Sequence, residues 1–466
     1  MKDNFLYFLL PSVVTGVFGF FLLIPFTTYY LEPADFGVFA LLSALTLPIG
    51  PLSSTGVSWV LGGSFFRIDE NQRRVLLFNV TLCDALLKIF WVLVFWFTAP
   101  LLLPLCLREV GPQYVSWFRL TLITVLLNAF WPAVSYHLVL SKRGSRHALF
   151  EILPWFSGAF VSIFALSVLG WKTETLFWSP IVAGAVLFSL NIWHLWKETT
   201  IRIDRKWLSE ILVVGLPSIP ASLVEMFRNM LDRIFIERWL NLDALGFYSH
   251  SLAYRNLFTV ATKAFSRVFS PQALELFSTN KDHSPLDARL NHWYALVGTA
   301  GIPVMFFADE VIAFLTHDKF TSAAVPVKIW FLLVLCFSYA IPYNSYLQAA
   351  KRTGTLVSTD VFANLVFLAL TVPAIYYGGF VGAALIYIAG NFSLQVIRHV
   401  FSVKYGCRQF SQRGLWFAVL FLTAGIILSN GFHLSLLWKT VSALLFIACN
   451  LRLNCITIAG LRKAFI

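Results

Sequence analysis

Charged residues are scarce in this sequence. Only 12% of its residues are Asp, Glu, Lys or Arg, against about a quarter in a soluble domain, and 58% are hydrophobic. A membrane span needs roughly twenty apolar residues, so about fourteen such runs would use most of the chain and leave only short connections. The composition therefore excludes a soluble protein and predicts an all-α polytopic membrane protein with no soluble domain.

Signatures of catalysis, cofactor binding and nucleic-acid binding are also missing. There is no P-loop and no metal-ligand cluster, and the six cysteines show neither paired nor metal-type spacing. The cations do not form the stripe typical of a nucleic-acid binder. The predicted outer loops are short, whereas a membrane polymerase or glycosyl ligase generally needs a large outer loop or paired acids. We therefore predict that the protein is not an enzyme, that it has no cofactor, and that its surroundings are membrane lipids.

Long apolar runs recur along the whole chain. With a window of roughly nineteen residues, spans are predicted near residues 5–28, 37–61, 75–103, 114–140, 149–169, 174–196, 211–236, 244–270, 292–315, 323–349, 355–376, 380–402, 415–430 and 436–457. Lys and Arg are concentrated in alternate loops, as at Arg73 and Arg74 and at Lys142 and Arg143. Because cytoplasmic loops carry the excess of cations, this alternation predicts that both termini are cytoplasmic.

Two parts of the chain share a pair of landmarks. Leu10-Pro11-Ser12 is followed by Asp35-Phe36-Gly37, and Leu216-Pro217-Ser218 is followed by Ala244-Leu245-Gly246. Both copies start from the cytoplasmic side, which indicates a parallel repeat with its axis along the membrane normal. We predict four parts, namely an N-terminal transmembrane lobe (1–196), a cytoplasmic linker (197–210), a C-terminal transmembrane lobe (211–403), and two extra helices with a cytoplasmic tail (404–466).

One arginine is placed deep in a predicted span. Arg255 lies roughly 16 Å into the eighth span, close to the midplane of a hydrocarbon core about 30 Å thick. A charge at that depth costs roughly 2.5 kcal/mol or more. Thr259, Thr262 and Ser266 follow on the same helical face. Arg255 therefore either lines a substrate path, with Thr259 and Thr262 beside it, or serves as a structural ion-pair partner.

Other ionisable residues are further candidates. Asp84 and Lys88 in the third span are four residues apart and meet on one helical face. They form either a structural pair or a functional one, in which Asp84 binds the coupling ion or proton and Lys88 attracts an anionic head group. Arg228 in the seventh span and Arg119 in the fourth lie toward the outer side, where they either face a cavity or reach the interface. Lys328, near an outer helix end, is explained by interfacial anchoring.

Short motifs carry a resemblance to a known family. They are Gly215-Leu216-Pro217-Ser218-Ile219-Pro220, Asp232-Arg233, Gly246-Phe247-Tyr248, Asp35-Phe36-Gly37-Val38-Phe39 and Gly378-Gly379-Phe380-Val381-Gly382-Ala383-Ala384. With them the sequence resembles a Wzx-type polysaccharide flippase, which handles O-antigen or another lipid-linked oligosaccharide, in the multidrug/oligosaccharidyl-lipid/polysaccharide exporter superfamily. The resemblance covers almost the whole chain. It implies two six-helix lobes facing a central cavity, two peripheral C-terminal helices, and a place in the bacterial inner membrane.

The resemblance also implies a function. Such a flippase moves a polyprenyl-diphosphate-linked glycan from the cytoplasmic to the outer leaflet by alternating access, for lipopolysaccharide or other cell-surface polysaccharide biosynthesis. A polysaccharide polymerase or chain-length regulator is an expected partner. A diphosphate requires cations in a wet cavity, and Arg255 fits that demand, with Lys88, Arg228 and Arg119 as candidate partners. The alternative is an ion-coupled multidrug exporter, which would typically use a carboxylate for cationic drugs; Asp84 is the only deep acid of the first lobe.

Overall fold

The computed structural model of the protein describes residues 2–454, apart from residues 54–59, 62–63, 66, 109–110, 216–218, 280–283, 351 and 432–434. Within these ranges the regular structure is helical and contains no strand. The Leu216-Pro217-Ser218 landmark and the last residues of the predicted tail lie outside the described residues. The predicted all-α polytopic membrane fold is confirmed.

Fourteen long helices form the body of the described chain. They are α1 (Lys2–Phe18, continued by a π-helical turn Gly19–Leu23 and by Ile24–Tyr30), α2 (Pro33–Leu45, continued by Ile49–Ser53), α3 (Glu70–Cys106), α4 (Pro112–Leu127 and Trp131–Leu140), α5 (Gly144–Phe164, ending in a π-helical turn Ala165–Leu169), α6 (Thr173–Glu198), α7 (Ile219–Trp239), α8 (Leu242–Thr279), α9 (Ser284–Thr316), α10 (Ala324–Ala349), α11 (353–378), α12 (380–404), α13 (Arg413–Gly431) and α14 (Leu436–Leu453).

Eleven segments of the described chain are long and apolar enough to cross a membrane. One of them, Gly354–Lys404, holds both α11 and α12, because the backbone leaves helical geometry at Gly379, where φ is 58°. A positive φ is readily adopted only by glycine, so the predicted Gly-rich connection is the break between these helices. The helices α7 and α8 fall outside the eleven because polar and charged residues are frequent in them. The eleven apolar segments, one of which holds two helices, together with α7 and α8 account for the fourteen helices of the described chain.

The linker predicted at 197–210 is partly helical. A separate helix, Arg205–Gly215, precedes α7, and it buries Trp207 and Ile211 against α3. The fully buried side chain of Asn79 in α3 fixes the start of this segment, since its amide donates to the Arg202 carbonyl (2.8 Å) and its oxygen accepts from the Asp204 amide (3.0 Å). The linker therefore continues into an amphipathic helix that packs on α3. The sequence predicted only a polar connection here, because many of its residues are charged.

The two glycine landmarks of the repeat pack against each other. A Cβ atom on Gly37 in α2 would lie 2.1 Å from the Leu242 carbonyl oxygen, and one on Gly246 in α8 would lie 1.9 Å from the Pro33 carbonyl oxygen. Each glycine thus opens its helix at the point where the other helix crosses it, and neither position can hold a side chain. This reciprocal contact is the geometry expected of two related elements.

The chain packs as two compact units, Met1–Gly246 and Phe247–Ile466. Helix α7 packs on α2 and so belongs to the first unit. The four-part division predicted from topology, with its boundary at the 197–210 linker, stays a prediction, because packing does not report on which loops are cytoplasmic.

Helices α13 and α14 both pack on α9. Ion pairs and hydrogen bonds of two buried lysines hold these helices together. Lys328 of α10 is completely buried and binds Asp309 at 2.5 Å and Asn430 at 2.7 Å, which joins α9, α10 and α13. Lys439 of α14 binds Glu310 of α9 at 2.5 Å. The sequence interpretation of Lys328 as an interfacial anchor is therefore wrong, because its charge is neutralised within the protein.

Candidate functional site

The second unit contains a polar cavity of about 510 Å³. Helix α8 contributes Arg255, Asn256, Thr259, Thr262, Lys263 and Ser266, α10 contributes Asn344, α11 contributes Asp360, and α12 contributes Tyr387, Asn391, Gln395 and Arg398. These positions follow helical spacing on α8 and α12, so each helix presents one polar face to the cavity. The structure thus brings Arg255, Thr259 and Thr262 together, and their role in substrate binding stays a prediction.

Arg255 is held between two aromatic rings. Its guanidinium carbon lies 5.3 Å from the ring centre of Trp330 and 5.1 Å from that of Tyr387. Trp330 is fully buried and fixed by the hydrogen bond from its indole N–H to the Ser251 hydroxyl (2.9 Å). No carboxylate of the described residues forms an ion pair with Arg255. The half-buried charge is therefore positioned by cation–π contacts, and no described residue accepts a hydrogen bond from its guanidinium, which leaves the N–H donors available to an acceptor.

A second arginine of the cavity is already neutralised. Arg398 in α12 binds Asp360 of α11 at 2.6 Å, and it also donates to the Asn344 side-chain oxygen and to the Leu356 carbonyl, both at 3.3 Å. The sequence interpretation did not single out Arg398. The signal was nevertheless present, because Tyr387, Asn391, Gln395 and Arg398 follow at intervals of four, four and three residues, which place them on one helical face.

Asp84 and Lys88 form the predicted pair in the first unit. The Lys88 ammonium lies 3.0 Å from the Asp84 carboxylate and donates to the Ala129 carbonyl at 3.2 Å. Both side chains are more than nine-tenths buried. The two charges neutralise each other, and the hydrogen bond to the Ala129 carbonyl links Lys88 to the segment between the two helical parts of α4. These contacts favour the interpretation of the pair as structural. The predicted roles of Asp84 in ion coupling and of Lys88 in head-group binding stay predictions.

Arg119 and Arg228 also belong to the first unit. The Arg119 guanidinium lies over the Trp96 ring at 5.2 Å from its centre, so helix α3 supplies an aromatic partner for this arginine of α4. Arg228 is buried in α7 with 7% of its surface exposed. The cavity of the second unit therefore gathers Arg255 but not the cations predicted to accompany it, and their part in substrate binding stays a prediction.

An apolar groove of about 600 Å³ lies in the first unit. It is lined by α3 and α6 together with the segment that follows α6, through residues such as Leu82, Leu86, Leu195, Trp196 and Ile201. Its lining has no charged side chain, and the hydroxyls of its two threonines, Thr81 and Thr199, are bonded to backbone carbonyls at 2.7 Å, so the groove offers no partner for a charged group. The groove therefore contributes no polar chemistry to the candidate site.

Residues 30–326, well over half of the chain, match the family model described as "Polysaccharide biosynthesis protein". The chain belongs to this family. No curated protein matches its sequence significantly.

Solved structures share the fold of this chain at low identity. An inward closed structure of the lipid II flippase MurJ is 15% identical with a TM-score of 0.71, over 96% of this chain and 97% of that one. An inward-facing MATE-family multidrug resistance transporter of the MOP superfamily is 12% identical with a TM-score of 0.67, over 85% and 98%. A Vibrio cholerae MATE transporter mutant is 11% identical with a TM-score of 0.56, over 86% and 96%. These likenesses establish the polytopic transporter fold and the multi-pass character of the chain.

Proposed function

We propose that this protein is a flippase that carries a polyprenyl-diphosphate-linked oligosaccharide from the cytoplasmic to the outer leaflet of the bacterial inner membrane. The glycan would serve cell-surface polysaccharide biosynthesis, such as that of a lipopolysaccharide O-antigen. The observation that carries the proposal is Arg255, a half-buried cation on a polar cavity with no ion-pair partner among the described acids. Membership in a polysaccharide biosynthesis family and the fold shared with a lipid II flippase support it.

The geometry around Arg255 suits a diphosphate. Phosphate oxygens accept hydrogen bonds from the planar edge of a guanidinium, often two at a time. The guanidinium carbon lies over the rings of Trp330 and Tyr387, and no described residue accepts a hydrogen bond from the group, so the two rings position it while its donors remain available. A rigid donor edge loses little conformational entropy when it binds. Arg255 is therefore proposed as the main contact of the diphosphate.

The remaining candidates have subordinate places in this proposal. Arg119 and Arg228 are proposed to attract the anionic head group, Asp84 to bind the coupling ion or proton, and Lys88 to assist the head group. Lys88 is the weakest of these, and we expect its removal to change head-group affinity little, because an incoming anion would compete with the Asp84 carboxylate at 3.0 Å. Alternating access, cytoplasmic termini, and a polymerase or chain-length regulator as partner complete the proposal.

One observation favours a second candidate function, ion-coupled export of cationic drugs. Asp360 lines the same cavity, and 44% of its side-chain surface is exposed, so it could attract a cation. Its ion pair with Arg398 weakens this reading, because the carboxylate is already neutralised. The two functions call for cargo of opposite charge, so one experiment separates them.

The experiment is transfer of a fluorescent undecaprenyl-diphosphate oligosaccharide across proteoliposomes under an imposed proton or sodium gradient. We expect transfer by the wild type and loss of at least tenfold in Arg255→Ala. Arg352→Ala is the matched control, because Arg352 also stacks on a tyrosine ring, that of Tyr405, but does not line the cavity. Absence of glycolipid transfer together with gradient-driven efflux of cationic dyes would replace the flippase proposal with the exporter.

A further inference from the structure

Two buried polar atoms of the cavity have no hydrogen-bond partner among the described residues. They are the side-chain oxygen of Gln395 and the hydroxyl of Thr262, and their residues expose only 4% and 5% of their surface. A buried polar atom that is left unpaired destabilises the protein. Both residues line the cavity with other atoms, while the unpaired atoms themselves have almost no accessible surface, so an occupant of the cavity can supply the missing partners once the side chains change rotamer.

Neighbouring polar groups of the same two helices are satisfied by the protein. The Thr259 hydroxyl donates to the Asn256 carbonyl at 2.9 Å, and the Asn391 amide donates to the Tyr387 carbonyl at 2.7 Å. The unpaired atoms of Gln395 and Thr262 are therefore a local feature of the cavity and not a general property of its polar lining. They mark the position at which a ligand group would gain most from hydrogen bonding.

The unpaired atoms lie at a distance from the cation. Thr262 is seven residues beyond Arg255 on α8, and Gln395 is eight residues beyond Tyr387 on α12, which corresponds to roughly 10–12 Å along each helix axis. Near this end Arg398 and Asp360 neutralise each other, and the exposed side chain of Lys263, next to Thr262, also lines the cavity. Gln395 and Thr262 are themselves uncharged, so they add a hydrogen-bonding position away from Arg255.

We propose that Gln395 and Thr262 form a subsite for the first sugars attached to the diphosphate. The Gln395 oxygen would accept from a sugar hydroxyl or an acetamido N–H, and the Thr262 hydroxyl would either donate or accept. A site that hydrogen-bonds a substrate hydroxyl rejects analogues that lack it, since its buried polar groups then remain unpaired. The subsite rests on the proposed flippase function and adds that this wall of the cavity selects the glycan.

The test compares binding of bare undecaprenyl diphosphate with binding of a panel of undecaprenyl-diphosphate monosaccharides, to the full-length protein in nanodiscs. The panel includes glucose, galactose and N-acetylglucosamine. We expect at least one sugar to improve affinity over the bare lipid by tenfold or more. Gln395→Met and Thr262→Val should each remove most of that gain, so that they weaken the glycosylated lipid more than the bare lipid. Thr371→Val on α11 is the matched control and should keep the gain, since its buried hydroxyl is bonded to the Phe367 carbonyl at 2.9 Å and does not line the cavity.

Other outcomes would overturn the subsite. The subsite is contradicted if no lipid-linked sugar of the panel binds more tightly than the bare lipid, or if the gain survives in both variants. In either case the two atoms do not select the glycan, and water supplies their hydrogen bonds. Equal weakening of bare and glycosylated lipid in folded Gln395→Met would assign this residue to the lipid diphosphate instead. If bare undecaprenyl diphosphate itself fails to bind, the proposed function fails first, and that result is distinct from a loss confined to the sugar-dependent gain.

Discussion

Lys88 in the first unit and Arg255 in the second are both cations inside membrane-spanning helices, but their surroundings differ. Lys88 is 7% exposed and is bound by Asp84 and by the Ala129 carbonyl. Arg255 is half-buried, lines an open cavity and is contacted by two aromatic faces. The protein neutralises the charge of Lys88, whereas it positions the charge of Arg255 without neutralising it.

The difference separates a structural cation from one that can bind a ligand. A buried pair that loses one member leaves an uncompensated charge, so the Asp84–Lys88 pair should matter mainly for folding. Arg255 has no hydrogen-bond acceptor among the described residues, so it should matter mainly for binding. Both residues were candidates on the sequence, and their contacts in the structure distinguish the two cases.

The largest expected effect is on stability in the first unit. Asp84→Ala leaves Lys88 buried without its acid, and we expect a loss of about 3–5 kcal/mol in the free energy of unfolding, measured by SDS titration in mixed micelles. Glu70→Ala is the matched control on the same helix, because its partner Arg74 is also four residues away at 2.9 Å but is exposed. Its effect should stay below about 0.5 kcal/mol.

A companion variant sharpens this prediction. The double substitution Asp84→Leu with Lys88→Met removes both charges and should recover most of the stability lost in Asp84→Ala, since no charge is left buried. If the single and double variants are equally unstable, the packing of these positions and not their ion pair stabilises α3. If Asp84→Ala is as stable as the wild type, the pair is not buried as described.

A smaller effect is expected at the Arg398–Asp360 pair of the cavity. Asp360→Asn removes the acid that neutralises Arg398, so the cavity becomes more positive. Since Asp360 is partly exposed and screened, the gain should be about 1 kcal/mol, seen as roughly fivefold tighter binding of undecaprenyl diphosphate. The gain should shrink at high salt.

Asp309→Asn is the control for this change. Asp309 is an acid of similar exposure, 41%, and it pairs with buried Lys328, but it does not line the cavity. Its substitution should leave the affinity of the folded protein for undecaprenyl diphosphate unchanged, although it lowers the free energy of unfolding because Lys328 stays buried without its acid. Weaker binding in Asp360→Asn would contradict the prediction and would mean that Asp360 holds Arg398 in a position that the ligand requires.

The helices and the polar face that carries Arg255 could be predicted from the sequence because they depend on local quantities. Hydropathy over about twenty residues locates a span, whereas the depth of Arg255, counted from the end of its span, stays a prediction. The same reasoning predicted that Thr259 and Thr262 share a face with Arg255, and the cavity contains all three. Pairing of Asp84 with Lys88 was equally accessible, since it depends only on their spacing.

The contacts that give these residues their surroundings are not local. Trp330 and Tyr387 approach Arg255 from α10 and α12, and the partners of Arg398 come from α10 and α11. No spacing within one helix reveals which helices are neighbours. For the same reason the burial of Lys328 between Asp309 and Asn430 could not be predicted, because its partners lie on α9 and α13.

The most direct test of the account measures undecaprenyl diphosphate binding by two folded variants in nanodiscs, Arg255→Ala and the double variant Asp84→Leu with Lys88→Met. We predict that Arg255→Ala weakens binding at least tenfold, as expected for the loss of a charge-assisted hydrogen bond worth about 1.5–3 kcal/mol. The double variant should bind within about twofold of the wild type. Retained binding in Arg255→Ala, with binding lost in the double variant, would contradict the account and place the head-group site at the Asp84–Lys88 pair.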